Sequence, residues 1–79
     1  MKIEVYGADW CIDCKNAKNF FDSKEIKYEY IDITDNNEAI AFVEKINNGK
    51  RVIPTLIVNG KSFTNPDIYT LIRIIEENM

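Results

Sequence analysis

Histidine does not occur in this sequence of 79 residues. Its absence excludes catalytic arrangements that pair a cysteine with a histidine, and metal sites that use an imidazole ligand. The chain also lacks a basic excess, because 13 acidic residues against 10 basic ones give a net charge of −3. A general nucleic-acid surface needs such an excess. We therefore expect no nucleic-acid partner.

Long apolar runs are absent as well. No run approaches the roughly 20 residues that a membrane-spanning helix needs. The stretch 1–6 lacks the apolar segment and the small-residue cleavage site of a signal peptide. The interpretation that follows is a cytoplasmic protein without a membrane partner. At this length the chain is expected to fold as a single domain, residues 1–79.

Cysteine is scarce, but its two occurrences, Cys11 and Cys14, lie three positions apart. In a cytoplasmic chain this spacing is more typical of catalysis or metal binding than of a structural disulfide. One sulfur can attack a substrate disulfide while the other resolves the mixed disulfide that forms. A tetrahedral zinc site needs four ligands, so no metal site is expected within one chain.

The position of Cys11 strengthens the argument from spacing. It falls where a predicted strand ends and a predicted helix begins, so that free backbone N–H groups and the helix dipole favour an anion there. The thiolate of Cys11 is therefore favoured, although the carboxylate of Asp13 opposes it at short range. Cys11 is expected to be the exposed sulfur. Cys14, one turn into the helix, is expected to be less accessible.

Apolar periodicity predicts strands and helices in the order β-α-β-α-β-β-α. Asn59-Gly60, between two short segments of strand character, is the strongest short-range hairpin signal. The first β-α-β unit is expected to be a right-handed crossover with parallel strands. The predicted strands cover 2–6, 26–33, 53–58 and 61–64, and the predicted helices cover 12 to about 24, 34–36 to 46, and the residues after 65–66.

Capping residues set the expected helix starts. Asp35 and Glu38 have the spacing of a capping box at the start of the second helix. Asn65 as N-cap, followed by Pro66 in the first helical position, is typical of the start of the third. The buried stripe of the third helix is predicted to consist of Ile68, Leu71, Ile72 and Ile75.

Three segments resemble the glutaredoxin branch of the thioredoxin-like fold: 6–14, which contains the CxxC, 53–55 with its Ile-Pro-Thr, and 60–66. Within that branch the chain is similar to the mycoredoxin type, on the evidence of 48–55, 64–66 and the tryptophan before the first cysteine. The resemblance implies an α/β thioredoxin-like domain, in which a four-stranded mixed sheet is flanked by three helices.

The resemblance also implies an activity, that of a thiol–disulfide oxidoreductase, and we expect a monomer. Cys11 would be the nucleophile and Cys14 the resolving thiol. Pro54 would be a cis-proline beside the active site, and the Thr55 backbone would pair with the substrate as an added strand. The expected substrates are disulfide-containing proteins. No bound organic cofactor is expected, because electrons would come from a low-molecular-weight thiol, glutathione or another, or from a flavoprotein reductase.

Departures from the family pattern bear on the electron donor. Glutaredoxins often have Gly-Gly where this chain has Thr64-Asn65, and glycine is used where a backbone must approach a ligand closely. The dipeptide between the cysteines is Ile12-Asp13, where Pro-Tyr is common. We therefore expect slow turnover with glutathione. Another small thiol, or a flavoprotein of the thioredoxin-reductase type, is expected to do better.

The residues around the CxxC allow two interpretations each. Trp10 either flanks the substrate groove or is an ordinary aromatic side chain. Arg51 either binds a carboxylate of a small thiol, as arginine does in a bidentate manner, or is a solvated charge. Asp67 either accepts hydrogen bonds from a substrate amine or only favours the helix dipole. The candidate substrate-binding residues are Trp10, Arg51, Ile53, Pro54, Thr55 and Asp67.

Two other functions are compatible with the CxxC pair. The first is a thioredoxin-like electron donor dedicated to one enzyme, such as a ribonucleotide reductase. The second belongs to another class, since a dimer has four thiols with which to hold zinc or an iron–sulfur cluster as a carrier. The absorption spectrum of freshly purified protein separates the cluster carrier from the oxidoreductase, because a cluster is coloured.

Overall fold

The computed structural model describes residues 1–78, and within them the elements follow the order predicted from the sequence, β-α-β-α-β-β-α. The predicted fold class is confirmed. The strands are β1 (Ile3–Gly7), β2 (Glu29–Asp32), β3 (Thr55–Val58) and β4 (Lys61–Thr64), and the helices are α1 (Ile12–Ser23), α2 (Asn37–Ile46) and α3 (Ile68–Asn78).

The sheet is mixed, with the strand order β2-β1-β3-β4. β1 runs parallel to β2, as predicted for the first β-α-β unit, and antiparallel to β3. β3 and β4 form the predicted hairpin around Asn59 and Gly60, whose φ angles of 51° and 86° are those of a type I′ turn. Tyr6 near the end of β1 lies opposite Thr55 at the start of β3. The residues after β1 and the residues before β3 therefore meet at one end of the sheet.

The helices cover both faces of the sheet. α1 and α3 pack on one face and α2 packs on the other. Ala17, Phe20 and Phe21 of α1 are buried at the spacing of one helix face, which fixes the helix that begins at the CxxC against the central strands. The larger cluster contains Ile3, Val5, Phe20, Phe21, Leu56, Val58, Leu71, Ile74 and Ile75, and the smaller contains Ile33, Ala39 and Val43.

Two strands are shorter than predicted. β2 begins after 26–28, because the Ile26 N–H donates to the Phe21 carbonyl at 2.9 Å and closes the last turn of α1. β3 begins after 53–54, because Pro54 has no N–H to donate to a neighbouring strand. The segment 53–54 is thus left outside the sheet, next to the CxxC.

The cap of α2 differs from the prediction. Asn36 is the N-cap, and its side chain accepts the Ala39 N–H at 3.1 Å. Asp35, the predicted member of a capping box, has a φ of 58°. That conformation is left-handed, whereas an N-cap residue has extended backbone angles.

The start of α3 also differs, because Asn65 has a left-handed φ of 42° and does not cap the helix. Asp67 takes that role, since its carboxylate accepts the Thr70 N–H at 2.8 Å. Pro66 therefore precedes the helix. The predicted buried stripe is half wrong: Leu71, Ile74 and Ile75 are buried, whereas Ile68 and Ile72 are exposed.

Candidate active site

Cys11 is the N-cap of α1. Its backbone is extended, with φ −93° and ψ 115°, and its sulfur accepts the Cys14 N–H at 3.2 Å. The Cys11 N–H in turn donates to the Ala8 carbonyl at 3.1 Å, which holds the loop between β1 and α1 in a turn. A thiolate at this position would lie at the positive end of the helix dipole, and its sulfur would accept a hydrogen bond from a backbone N–H. The helix start predicted from the sequence therefore has the geometry to stabilise a thiolate.

The two sulfurs differ in accessibility, although both cysteines are free thiols. Cys14 is 0% exposed and Cys11 is 9% exposed. The predicted order is confirmed, but the expectation of an openly exposed Cys11 is wrong. Ala8 and the half-buried Ile53 pack against the two cysteines, so that little of the Cys11 side chain is accessible.

The buried thiol of Cys14 is held in its protonated form. Burial, followed by the hydrogen bond with Cys11, raises the pKa of Cys14 to about 12, and the carboxylate of Asp13 contributes in the same direction. The backbone of Ala8 opposes this shift by hydrogen bonding. At neutral pH, Cys14 is therefore a thiol whose proton must leave before its sulfur can attack.

Gly7 has a role that sequence reasoning missed. A Cβ atom at this position would lie 2.8 Å from the Cys14 sulfur and 2.9 Å from the Tyr30 hydroxyl oxygen. The predicted first strand ends before Gly7, whereas the structure needs this glycine for the close approach of two buried side chains. A glycine inside a strand is itself a signal of such an approach, but the sequence does not say which groups approach.

The Ile53–Pro54 peptide bond is cis, as the resemblance implied. Pro54 is buried, and Ile53 packs against the two cysteines from outside the sheet. Thr55 is fully buried between Tyr6 of β1 and Thr64 of β4. The expectation that its backbone adds a substrate strand is therefore not met, because strands already occupy both of its sides.

A second residue missed from the sequence, Asn47, holds this segment in place. Its side-chain amide donates to the Thr55 hydroxyl at 3.1 Å and to the Val43 carbonyl at 2.8 Å. Its oxygen accepts a hydrogen bond from the Thr64 hydroxyl, and the Thr55 hydroxyl donates onward to the Val52 carbonyl at 2.7 Å. The end of α2 is thereby tied to β3 and β4 beside the cis-proline. The sequence indicated only that a helix stops at Asn47.

Three predicted binding residues lie on the surface of the protein. Trp10 is 73% exposed, next to Cys11. The Arg51 Nε atom lies 3.5 Å from a carboxylate oxygen of Glu44, in an exposed ion pair. Asp67 is exposed, and the backbone N–H of Thr70 lowers the pKa of its carboxyl group. Asp67 therefore caps α3, where the helix dipole favours a carboxylate, and one of its oxygens is already engaged.

A family model, "Glutaredoxin", matches residues 3–63 of this chain. The chain belongs to the glutaredoxin family. It is 33% identical to mycoredoxin 1 of Corynebacterium glutamicum over 75 residues, and these residues make up 94% of this chain and 92% of that protein. A Mycobacterium tuberculosis protein that carries the glutaredoxin name is 34% identical over 65 residues, or 81% of this chain and 77% of that one.

Solved structures agree on the fold of this glutaredoxin. The thioredoxin-like protein BC3987 superposes with a TM-score of 0.79 at 24% identity, over 91% of this chain and 97% of that one. A glutaredoxin from Archaeoglobus fulgidus does so with a TM-score of 0.75 at 22% identity, over 92% and 84%. With its family shown, this glutaredoxin is an enzyme of the thiol–disulfide oxidoreductase class.

The glutaredoxin match ends at residue 63, just before the Thr64-Asn65 departure. The Asn65 side-chain amide lies 3.5 Å from a carboxylate oxygen of Asp13, across the start of α1. Both residues line a cleft of about 750 Å³ between α1 and α3, together with Asn16 and Asp67. The side chain that replaces the second glycine of the family pattern therefore stands in this cleft.

Two further observations concern the described part of the chain, residues 1–78. It contains no group of three or more side chains placed to hold a metal ion. None of its helices combines the length and the apolar character that a membrane crossing requires.

Proposed function

We propose that this glutaredoxin reduces disulfides and mixed disulfides through Cys11 as nucleophile and Cys14 as resolving thiol. The Cys11 thiolate attacks a substrate disulfide, forms a mixed disulfide and releases the first substrate sulfur as a thiol after protonation. Cys14 then attacks the Cys11 sulfur. A Cys11–Cys14 disulfide forms, and the electron pair of the broken bond goes to the second substrate sulfur, which takes up a proton.

The observation that carries the proposal is the asymmetry of the two sulfurs. One sulfur caps a helix, accepts a backbone N–H and belongs to a residue that is 9% exposed. The other is fully buried and keeps its proton at neutral pH. An attacking group must reach the substrate as an anion, whereas a resolving group needs only to reach its neighbour.

Protein substrates are favoured by the surface around Cys11. Trp10 and Ile12 flank it and are 73% and 66% exposed, and exposed aromatic side chains are enriched at the centres of protein interfaces. In residues 1–78, the backbone N–H and carbonyl of Ile53 have no hydrogen-bond partner. We propose Ile53, in place of Thr55, as the residue that pairs with an extended substrate segment.

The experiment on the cysteines uses single variants and mass spectrometry of the intact protein. Cys11→Ser should abolish reduction of a protein disulfide. Cys14→Ser should retain attack and accumulate one covalently attached substrate, because nothing resolves the mixed disulfide. Accumulation of that adduct in Cys11→Ser instead would reverse the assignment.

For the electron donor, we propose a small thiol other than glutathione. The Asn65 side chain stands in the cleft beside Asp13, where the family pattern often has glycine. Turnover with glutathione and its reductase should be slow, and Asn65→Gly should increase it. Asn48→Gly is the matched control, since Asn48 also has a positive φ, 57°, and is exposed outside this cleft.

The control should leave the glutathione rate unchanged. Fast, saturable turnover of the unaltered protein with glutathione would refute the donor proposal while leaving the cysteine roles intact. Trp10→Ala should slow reduction of a protein disulfide more than that of a small mixed disulfide. An equal effect on both substrates would show that Trp10 does not contact the protein substrate.

A further inference from the structure

Tyr30 of β2 places a hydroxyl group beneath the CxxC. Its oxygen is buried and has no hydrogen-bond partner within residues 1–78. Buried polar groups are nearly always hydrogen-bonded, because an unpaired one costs free energy. The activity described so far gives this hydroxyl no role. An orphan donor that persists in the interior therefore points to a partner that appears at another stage of the reaction.

The sulfur of Cys14 is a candidate for that partner. A single position, that of a Cβ atom built on Gly7, lies 2.8 Å from the Cys14 sulfur and 2.9 Å from the Tyr30 oxygen. The two atoms therefore border the same small space, which the glycine leaves free. The Lys18 ammonium lies 4.2 Å from the centre of the Tyr30 ring, and this cation–π contact helps to hold the ring in place.

We infer that the Tyr30 hydroxyl donates a hydrogen bond to the Cys14 sulfur as that sulfur becomes a thiolate and resolves the mixed disulfide. This inference rests on the proposed function. The Sγ–H bond of Cys14 breaks, the Cys11–Cys14 disulfide forms and the bond from Cys11 to the substrate breaks. The electron pair goes to the substrate sulfur, and the proton released by Cys14 goes to that sulfur or to water. Tyr30 keeps its own proton throughout.

The surroundings of Tyr30 suit a donor that does not ionise. Burial raises its pKa above the ordinary value, and so do the negative charges of Cys14, Asp32, Asp9 and Cys11. The charged groups near Cys14 and Tyr30 are Asp9 from the loop after β1, Asp13 and Lys18 from α1, and Asp32 from β2. A neutral hydroxyl can stabilise a thiolate among these carboxylates, where a further carboxylate would repel it.

The test is a single-turnover reaction with Ellman's reagent, an aromatic disulfide that releases one coloured thiolate at each step. The first burst reports attack by Cys11, and the second reports resolution by Cys14. Tyr30→Phe should slow the second burst about tenfold, the effect of a hydrogen bond to a charged group, and leave the first unchanged. The pH profile of the second burst should move to higher pH, because the thiolate of Cys14 forms less easily.

Tyr28→Phe is the matched control. It makes the same change two positions away, where the hydroxyl donates to Asp22 at 3.0 Å on the surface, and both bursts should stay unchanged. Tyr30→Phe removes no hydrogen bond from the resting protein, so its unfolding midpoint should not fall. Tyr30→Met, which also lacks a donor but differs in shape, should give the same slow second burst.

An unchanged second burst in Tyr30→Phe would overturn the inference. Equal slowing of both bursts would also overturn it, since that pattern marks a general structural effect. If the unaltered protein gives no burst from Cys11, the proposed function itself fails, and the two failures are thus distinguishable.

Discussion

Replacing Gly7 by alanine should displace the side chain of Cys14, the proposed resolving thiol. The new methyl group would lie 2.8 Å from the Cys14 sulfur, 3.1 Å from the Cys14 Cβ atom and 2.9 Å from the Tyr30 oxygen. Ordinary contacts between such atoms lie at about 3.5–4.0 Å. Neither neighbour can move into solvent, because Cys14 is fully buried and so is the Tyr30 hydroxyl. Overpacking of this kind costs about 1–3 kcal/mol, and we expect the free energy of unfolding to fall by that amount.

Urea denaturation measures the fall in the free energy of unfolding. The two bursts with Ellman's reagent show which of the two cysteines the substitution affects. Gly7→Ala should slow the second burst more than the first, because the displaced sulfur is that of Cys14. Gly60→Ala is the control: φ is 86° and nothing lies within 4 Å of its Cβ position. That variant should lose about 1–2 kcal/mol through left-handed strain alone and leave both bursts unchanged.

A double variant makes the prediction sharper. Combining Gly7→Ala with Tyr30→Phe removes one of the two atoms that the methyl group meets, so part of the lost stability should return. The sum of the two single effects should therefore exceed the effect of the double variant. Strict additivity, or a Gly7→Ala protein as stable as the unaltered one, would show that the space behind Cys14 is not filled as the structure describes.

Two further substitutions test the segments that frame the site. Asn47→Ala should lower the free energy of unfolding by about 1–2 kcal/mol in urea denaturation, since hydrogen bonds to Thr55 and Thr64 are lost; no loss would show that this network does not stabilise the fold. The Thr70 N–H lowers the pKa of Asp67 in the folded state. The ionised carboxylate of Asp67 therefore stabilises the fold fully at neutral pH, and this stabilisation is lost as the pH falls below about 4. Asp67→Asn should keep the cap and flatten this acid dependence of the melting temperature. Asp67→Ala should lower the melting temperature at neutral pH. Equal acid dependence in the unaltered protein and both variants would contradict the assignment of Asp67 as an ionised helix cap.

The parts of the fold predicted well from the sequence are those with local causes. The Asn59-Gly60 turn and the strand after it were predicted to the residue, because positive φ angles at both positions favour these two residue types. The start of α1 at the CxxC was also predicted, since an apolar stripe and a capping position agree there. The cis bond before Pro54 came from the family resemblance, because spacing alone does not determine it.

The parts predicted poorly depend on contacts between distant segments. Asn65 has good capping chemistry, but its N–H donates to the Pro54 carbonyl at 2.7 Å and its φ is positive. The cap passes to Asp67, and the buried face of α3 changes accordingly. Tyr30 and Gly7 carry no sequence signal for their positions behind Cys14, since only the parallel pairing of β1 with β2 brings them together.

The two halves of this active site are assembled by one pair of neighbouring strands. Cys11 follows β1 and Ile53 precedes β3, and they meet because Tyr6 pairs with Thr55 across the centre of the sheet. A slip of one residue in that pairing would turn every side chain of the strand to the opposite face. During synthesis both cysteines emerge before Ile53, so the surface that we propose for substrate binding forms only after the second half of the chain has folded. The helix cap at Cys11 needs only the first part of the chain, whereas the proposed substrate surface needs both parts.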